Sequence, residues 1–298
     1  MINLFDITRP LHIVQDEWEG ADIHILAKSF QAQTGQLARF LKPSQLRLLP
    51  DQTSKSGYAL FCVVETIEET PCVVQQDGEA LERVYQVSLE LKQSEYRPMS
   101  FEMLCQLSLC CINDLRSIFL VHDKRMLAVI LEEIEDLVTQ HKILTRQEAT
   151  ILRNGISPTF LPTSPTWHSL LGHCKAMPTA KDHWVLKATR GGFGHDHVFG
   201  TSVSNDEWLS LMILAQKCNS RPTEVSFVLQ RKIEQVEYDI IRHDFETIEQ
   251  FHLVGSYQSI DGRYIGNGPW RIARQVHVAV NETDKGLVMM SVSTAKVV

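Results

Sequence analysis

The chain has 298 residues, 44% of them hydrophobic, which is enough for one large core or two ordinary ones. A net charge of -7 and a pI of about 5.9 argue against a general nucleic-acid binder, so any anion site must be local. No apolar run approaches the roughly 20 residues of a membrane span, and the opening MINLFDITRP lacks the basic segment and apolar core of a secretory signal.

Seven cysteines are present, at irregular spacing and without a C-x-x-C pair. Cys105, Cys110 and Cys111 lie in an apolar helical pattern and read as reduced core residues, so a cytoplasmic protein with free thiols is expected. Among twelve histidines, His195 and His197 flank Asp196. That trio has metal-ligand chemistry, but an exposed polar loop explains it more simply.

In chain order, Asp22 to Leu41 carries Ile25, Leu26, Phe30, Leu37, Phe40 and Leu41 at helical spacing, which predicts an amphipathic helix. Pro43, Pro50 and the polar run DQTSKSG break it. Residues 58–92 read as extended, with Asp77-Gly78 as a turn. VYQVSLELKQ within them alternates like a half-buried strand, although it is also compatible with a helix start. Residues 98–153 read as helical. Ser100 and Thr145 are placed to cap helices, and Gly155 to end one. LCQLSLCCINDLRSIFLV is apolar on nearly every side and is expected to be buried. The helix after it sets Met126, Leu127, Ile130, Leu131, Ile134, Leu137 and Val138 against an acidic, solvated face.

Residues 156–183 contain four prolines and read as a connecting segment, with a short helix around Trp167–Cys174. The expected organisation is therefore a mixed region 1–155 with buried helices, a connector 156–183 and a β-rich region 184–298. Asn205–Lys217 is helical within the last region. Asp261-Gly262 between two β-rich runs is the strongest hairpin signal in the chain.

The chemistry concentrates in WVLKATRGGFGHDHVFG, residues 184–200. A short apolar strand ends at Lys187. Arg190, Gly191, Gly192, Phe193 and Gly194 follow, and then a second strand-like run, Val198-Phe199. Glycine amides can approach phosphate oxygens closely, and a lysine beside them adds a point charge. Three glycines are also an ordinary hairpin turn. The loop is neither a Walker A loop nor a dinucleotide fingerprint, because no Gly-Lys-Ser/Thr closes it and no helix follows at once.

WVLK (184–187), RGGFG (190–194) and VLQRKI (228–233), in that order, resemble ATP-grasp enzymes, and specifically the circularly permuted, glutathionylspermidine-synthase-like group. HDKRMLAVI (122–130) looks like that group's H-N-K-x-L-L segment. GRYIGNGPWRIA (262–273) looks like its late segment, whose arginine faces the transferred phosphoryl group. The resemblance covers about residues 110–275. It implies an α+β, ATP-grasp-like fold in which a helical first half packs on a β-rich nucleotide-binding second half. It also implies an ATP-dependent carboxylate–amine ligase that uses Mg2+ and acts through an acyl-phosphate on small molecules, with no nucleic acid or membrane partner.

On that resemblance Arg271 and Lys187 are catalytic, with Arg274 as second choice for the arginine. Lys187, Arg190, Gly191, Gly192, Phe193, Gly194, Gln230, Arg231, Lys232 and Ile233 bind ATP, the last four as a hinge whose backbone meets adenine. The group's Glu-x-Asn metal signature is missing. Asn113 and Asp114 are the nearest metal ligands, with Glu90, Asp239 and Asp244 as alternatives. The chain ends soon after its last hairpin, in SVSTAKVV, with no terminal helix or cap, which leaves open a shortened member, a fragment, or an inactive nucleotide-binding or interaction module. A fourth possibility is an unrelated α+β binding protein whose glycine hairpin is only a turn.

Overall fold

A computed structural model describes residues 5–16, 21–64, 73–111, 115–191, 196–218, 226–241, 248–260, 263–267, 270–273 and 288–290. Helix and sheet are mixed, and the chain divides into two compact units, Met1–His122 and Asp123–Val298.

The first unit runs β1 (His12–Gln15), α1 (Ala21–Thr34), β2 (Arg39–Leu41), β3 (Leu46–Pro50), β4 (Tyr58–Val63), β5 (Val73–Gln76), β6 (Glu79–Arg83), β7 (Val87–Glu90), α2 (Gln93–Tyr96), α3 (Phe101–Cys110) and α4 (Leu115–Val121). β1 is the centre of a parallel sheet ordered β2-β1-β7, and β3-β4-β6-β5 form an antiparallel sheet. β1 is buried on both sides. Ile13 packs with Leu11 and with Ile23 and Phe30 of α1, while Val14 joins Leu41, Leu60, Cys62 and Val87 in a second cluster. The expected turn between β5 and β6 is present, with Asp77 (φ 50°) and Gly78 (φ 83°) both left-handed.

Two expectations fail here. The helix predicted to reach Leu41 stops at Thr34. Gly35 then takes φ 75°, and Arg39–Leu41 pairs with His12–Val14. Phe40 and Leu41 have helical spacing, but a partner strand far away in sequence captures them. The apolar run after Met103 is also not one buried helix. α3 ends at Cys110, and Cys111 bridges to Val87. Leu109 (52% exposed) and Val121 (76%) face outward. The Ser100 cap forms as expected, its hydroxyl accepting from Met103 N.

The second unit runs α5 (Arg125–Thr139), α6 (Arg146–Gly155), β8 (Thr159–Phe160), α7 (Pro165–Ala176), β9 (Trp184–Ala188), β10 (Val198–Phe199), α8 (Asn205–Cys218), β11 (Phe227–Arg231), β12 (Glu237–Ile241), β13 (Ile248–Val254), β14 (Tyr257–Ile260), β15 (Arg263–Asn267), β16 (Trp270–Ala273) and β17 (Val288–Met290). Three antiparallel arrays result: β10-β9-β11-β8, β12-β13-β16-β17 and the hairpin β14-β15. In that hairpin Ile260 stands opposite Arg263, with Asp261-Gly262 between them outside the described residues.

The prolines of 156–183 start structure rather than link it. Pro165 opens α7 and Pro178 opens a 3-10 turn over Pro178–His183, both positions where the missing N–H has no partner to lose. α6 begins at the predicted box, in which Thr145 Oγ1 accepts from Glu148 N and Thr145 N donates to the Glu148 carboxylate. α7 and α8 cover one face of the first array. Trp167, Leu170, Cys174, Trp208 and Met212 pack there against Leu186, Ala188, Phe227 and Leu229. Alternation along the strands leaves Val185, Lys187, Val228 and Gln230 on the other face, beside which α5 packs on β8.

Candidate functional site

Lys187 sits where two constraints meet. It is the penultimate residue of β9, opposite Val228 of β11, on the face that the helical core does not cover. The start of α5 is tied to the same strand end, since Lys124 N donates to Thr189 O at 2.8 Å. Its Nζ then donates to Gly191 O at 2.9 Å. Gly191 has φ 88°, a turn conformation that suits glycine. A helix start, a strand end and a glycine turn thus bring two lysines together.

Both lysine ammonium groups are held partly out of water and close to each other. Burial lowers the Lys187 pKa, and the neighbouring Lys124 charge lowers it further. Burial also lowers that of Lys124, against an opposing pull from Asp123. Among the described residues, Lys187 Nζ has no carboxylate partner. Asp123 is 6% exposed, and its Oδ1 accepts from Arg125 N at 3.0 Å and from Arg125 Nε at 2.9 Å. Arg190 Nε approaches its other oxygen at 3.4 Å. Burial alone would raise the Asp123 pKa, but the Arg125 bonds and both arginine charges outweigh it and leave the value lowered. Among the described residues, Arg125 and Arg190 thus pair with Asp123, and Lys124 lies within reach of its charge.

Asp123→Asn is expected to cost about 2 kcal/mol near neutral pH, the scale of charge-assisted hydrogen bonds lost at a buried carboxylate. A carboxylate whose folded pKa is lowered stabilises above its unfolded pKa and stops doing so as pH falls through the folded one. The stability gap between wild type and variant, measured by urea unfolding, should therefore close toward acid pH. A gap independent of pH would refute the ion-pair role.

The other sequence-named residues fall in several places. Gln230 shares the Lys187 face, but its Nε2 is committed to Thr159 Oγ1 at 2.9 Å. The Arg231 guanidinium lies 5.4 Å from the Trp184 ring centroid. Arg231 N donates to Pro158 O, Arg231 O accepts from Ser157 Oγ, and Lys232 N donates to His183 O. Those hinge groups are thus already used. Lys232 Nζ is 3.6 Å from Glu234, and Ile233 is exposed beyond the strand end.

Arg271 lies on β16, opposite Val254 and Met289, in a different array from Lys187. Its side chain is outside the described set, as are Gly192, Phe193, Gly194, Asn113, Asp114, Asp244 and Arg274. Asp239 accepts from Gln250 Nε2 at 3.4 Å, and Glu90 belongs to β7 of the first unit. Asp196 (φ 58°) is exposed and joins no metal-ligand cluster among the described residues. A groove of about 450 Å3 lined by Leu131, Glu132, Pro158, Thr159, Phe160 and Thr166 includes Gln230's partner but neither lysine.

Lys124, Asp123 and Arg125 were not singled out from sequence. The available signal was the HDKR segment, 122–125, which the resemblance marks as a segment without assigning its residues.

Residues 1–120 match the family model described as the AnkG N-terminal domain. A protein named ATP-grasp enzyme ankG, from Aspergillus thermomutatus, is 35% identical over 276 residues, which is 91% of this chain and 57% of that protein. The chain thus spans less than two thirds of that relative's length. Among solved structures, D-cycloserine synthetase DcsG is similar at 14% identity with a TM-score of 0.48, over 96% of this chain and 76% of the other. No helix among the described residues is long and apolar enough to cross a membrane.

Proposed function

We propose that this chain is an ATP-dependent ligase of ATP-grasp type, joining a carboxylate to an amine on small molecules through an acyl-phosphate. The observation that carries the reading is the Lys124–Lys187 pair at the glycine turn, two partly buried cations with Asp123 the carboxylate near Lys124 among the described residues. Holding two like charges together out of water is unfavourable, and an anion between them reverses the sign. Similarity to the ATP-grasp enzyme of Aspergillus thermomutatus supports assigning that anion to ATP.

When bound, ATP would supply the phosphoryl group that activates the carboxylate. The chain's own part is positioning and charge. Lys187, fixed by β9, and Lys124, fixed through Thr189 and Gly191, hold phosphate oxygens. Asp123 restrains Arg125 and keeps Arg190 close to the turn, and Arg190 can exchange part of its contact with Asp123 for a phosphate. Thr159 locks Gln230, which ties β11 to β8 and leaves adenine to the backbone beyond Lys232 N. Arg271 is proposed as the arginine at the transferred group.

Mg2+ fits less well. Among the described residues, the one group of three potential metal ligands is His12, Cys62 and Glu82 in the first unit, and none belongs to the lysine site.

A second reading is a nucleotide-binding or interaction module without activity, which the lack of a Glu-x-Asn signature in the sequence favours. ADP release in the presence of mixed carboxylates and amines separates the two. Release that needs both pools supports the ligase. ATP binding without turnover supports the module, and failure to bind millimolar ATP rejects both.

A further inference from the structure

The first unit buries a polar cluster that the lysine site does not use. β1 and β2 pair in parallel with His12 opposite Arg39, and β4 and β6 pair antiparallel with Cys62 opposite Glu82. These two register pairs face each other through the core that also holds Val14, Leu60 and Val87. His12 and Cys62 are 0% exposed and Glu82 is 2% exposed. Their ligand atoms all lie within 4.8 Å of one another, with His12 Nε2 4.0 Å from Glu82 Oε2. Neither ring nitrogen of His12 makes a well-aligned hydrogen bond among the described residues, the Gln86 backbone offering only a weak one. A buried imidazole with its nitrogens so poorly satisfied is a costly feature unless something fills the space it points into.

We propose that His12, Cys62 and Glu82 form a site for a divalent transition-metal ion, with Zn2+ the preferred occupant. Thiolate, imidazole and carboxylate are the three donor types that zinc takes in proteins. A tetrahedral ion with bonds of about 2.0–2.3 Å sets its donors roughly 3.3–3.8 Å apart, so the cluster must close by up to about 1.5 Å. The fourth position is left to a small ligand such as water.

Charge is consistent with this. The histidine is already neutral, because burial and then the Arg39 charge bring its pKa to about 4. Burial raises the Cys62 thiol to about 11, so without metal it keeps its proton. On binding, the metal–sulfur bond forms as the S–H bond breaks, and the proton leaves to solvent. The ion's two positive charges then meet one thiolate and one carboxylate. Arg39 pairs with Glu82 and orients its carboxylate, the part an outer partner plays around a ligand.

The test uses the full chain stripped with a chelator and titrated with Co2+ and then Zn2+. The expected result is one equivalent of Co2+ bound with a thiolate-to-metal charge-transfer band, about one proton released per ion in weakly buffered solution near neutral pH, and a higher Tm with Zn2+. Cys62→Ser should remove the band, and Cys105→Ser should keep it. Glu82→Gln retains the thiol and the volume, and should weaken Co2+ binding by about ten- to a hundredfold while the band survives at saturation. Should Cys62→Ser fail to fold, the band and the proton count on the wild-type chain still decide. Absence of both, or a band that persists in Cys62→Ser, would leave the cluster as a buried Arg39–Glu82 ion pair beside a neutral histidine and overturn the proposal.

Discussion

Lys187→Met should lose about ten- to a hundredfold in affinity for ATP with Mg2+, and Lys124→Met a similar amount, the scale of one charge-assisted phosphate contact of about 1.5–3 kcal/mol each. On the proposed reading both lysines would hold one ligand, so the double variant need not lose the product of the two. The unliganded chain should respond in the opposite direction. Lys187 has a folded pKa below its unfolded one, chiefly from burial and then from Lys124. Keeping it protonated therefore destabilises the folded state at neutral pH, and this is relieved as pH rises through the folded pKa toward the unfolded one. Lys187→Met should accordingly be at least as stable as wild type near neutral pH, and that advantage should shrink in alkali. Thermal melts with and without nucleotide read both effects. Equal ATP affinity in wild type and Lys187→Met would remove Lys187 from the site.

Trp208→Ala should cost about 3–5 kcal/mol, among the largest effects on stability expected from a single truncation in the second unit. Trp208 is 0% exposed and packs, with Trp167, Leu170 and Met212, on the side of β9 and β11 that carries Leu186 and Leu229. Removing the indole leaves a cavity behind the strand that holds Lys187, so ATP should also bind more weakly. Trp208→Phe keeps most of the volume and should recover most of the loss. The urea midpoint measures it. A change below about 1 kcal/mol for the alanine variant would mean that α8 does not close this core.

The sequence disclosed those features whose cause is local. Ser100 and Thr145 cap helices because a hydroxyl needs only the amide three residues on. Asp77-Gly78 makes its turn through two left-handed residues. The glycine stretch joins a true antiparallel pair, Val198 opposite Leu186. What stayed hidden depends on distant partners. Phe40 and Leu41 leave their helical pattern because β1 offers backbone pairing that a 20-residue window cannot reveal. Residues 156–183 looked like a connector because they are rich in proline, yet the compact units divide at His122/Asp123. Pro165 and Pro178 begin helical turns, and Thr159 and Phe160 pair with β11.

The same limit applied to the chemistry. Lys187 was readable as a strand-end lysine beside glycines. Lys124 reaches that turn only because α5 docks on the strand through Thr189, a contact 65 residues away by count from Lys124 to Thr189. His12, Cys62 and Glu82 come from three strands of two sheets, and no spacing rule connects them. The Arg271 assignment rests on its resemblance motif and on its place in β16 alone.

Differential lysine labelling probes the anion site directly. An amine with a lowered pKa is more often unprotonated at neutral pH and reacts faster with an acylating reagent. Mass spectrometry of the full chain should find Lys124 and Lys187 modified without nucleotide and protected by ATP with Mg2+, while exposed lysines label equally in both. Unchanged labelling of those two residues at millimolar ATP would contradict a triphosphate site at the β9 turn.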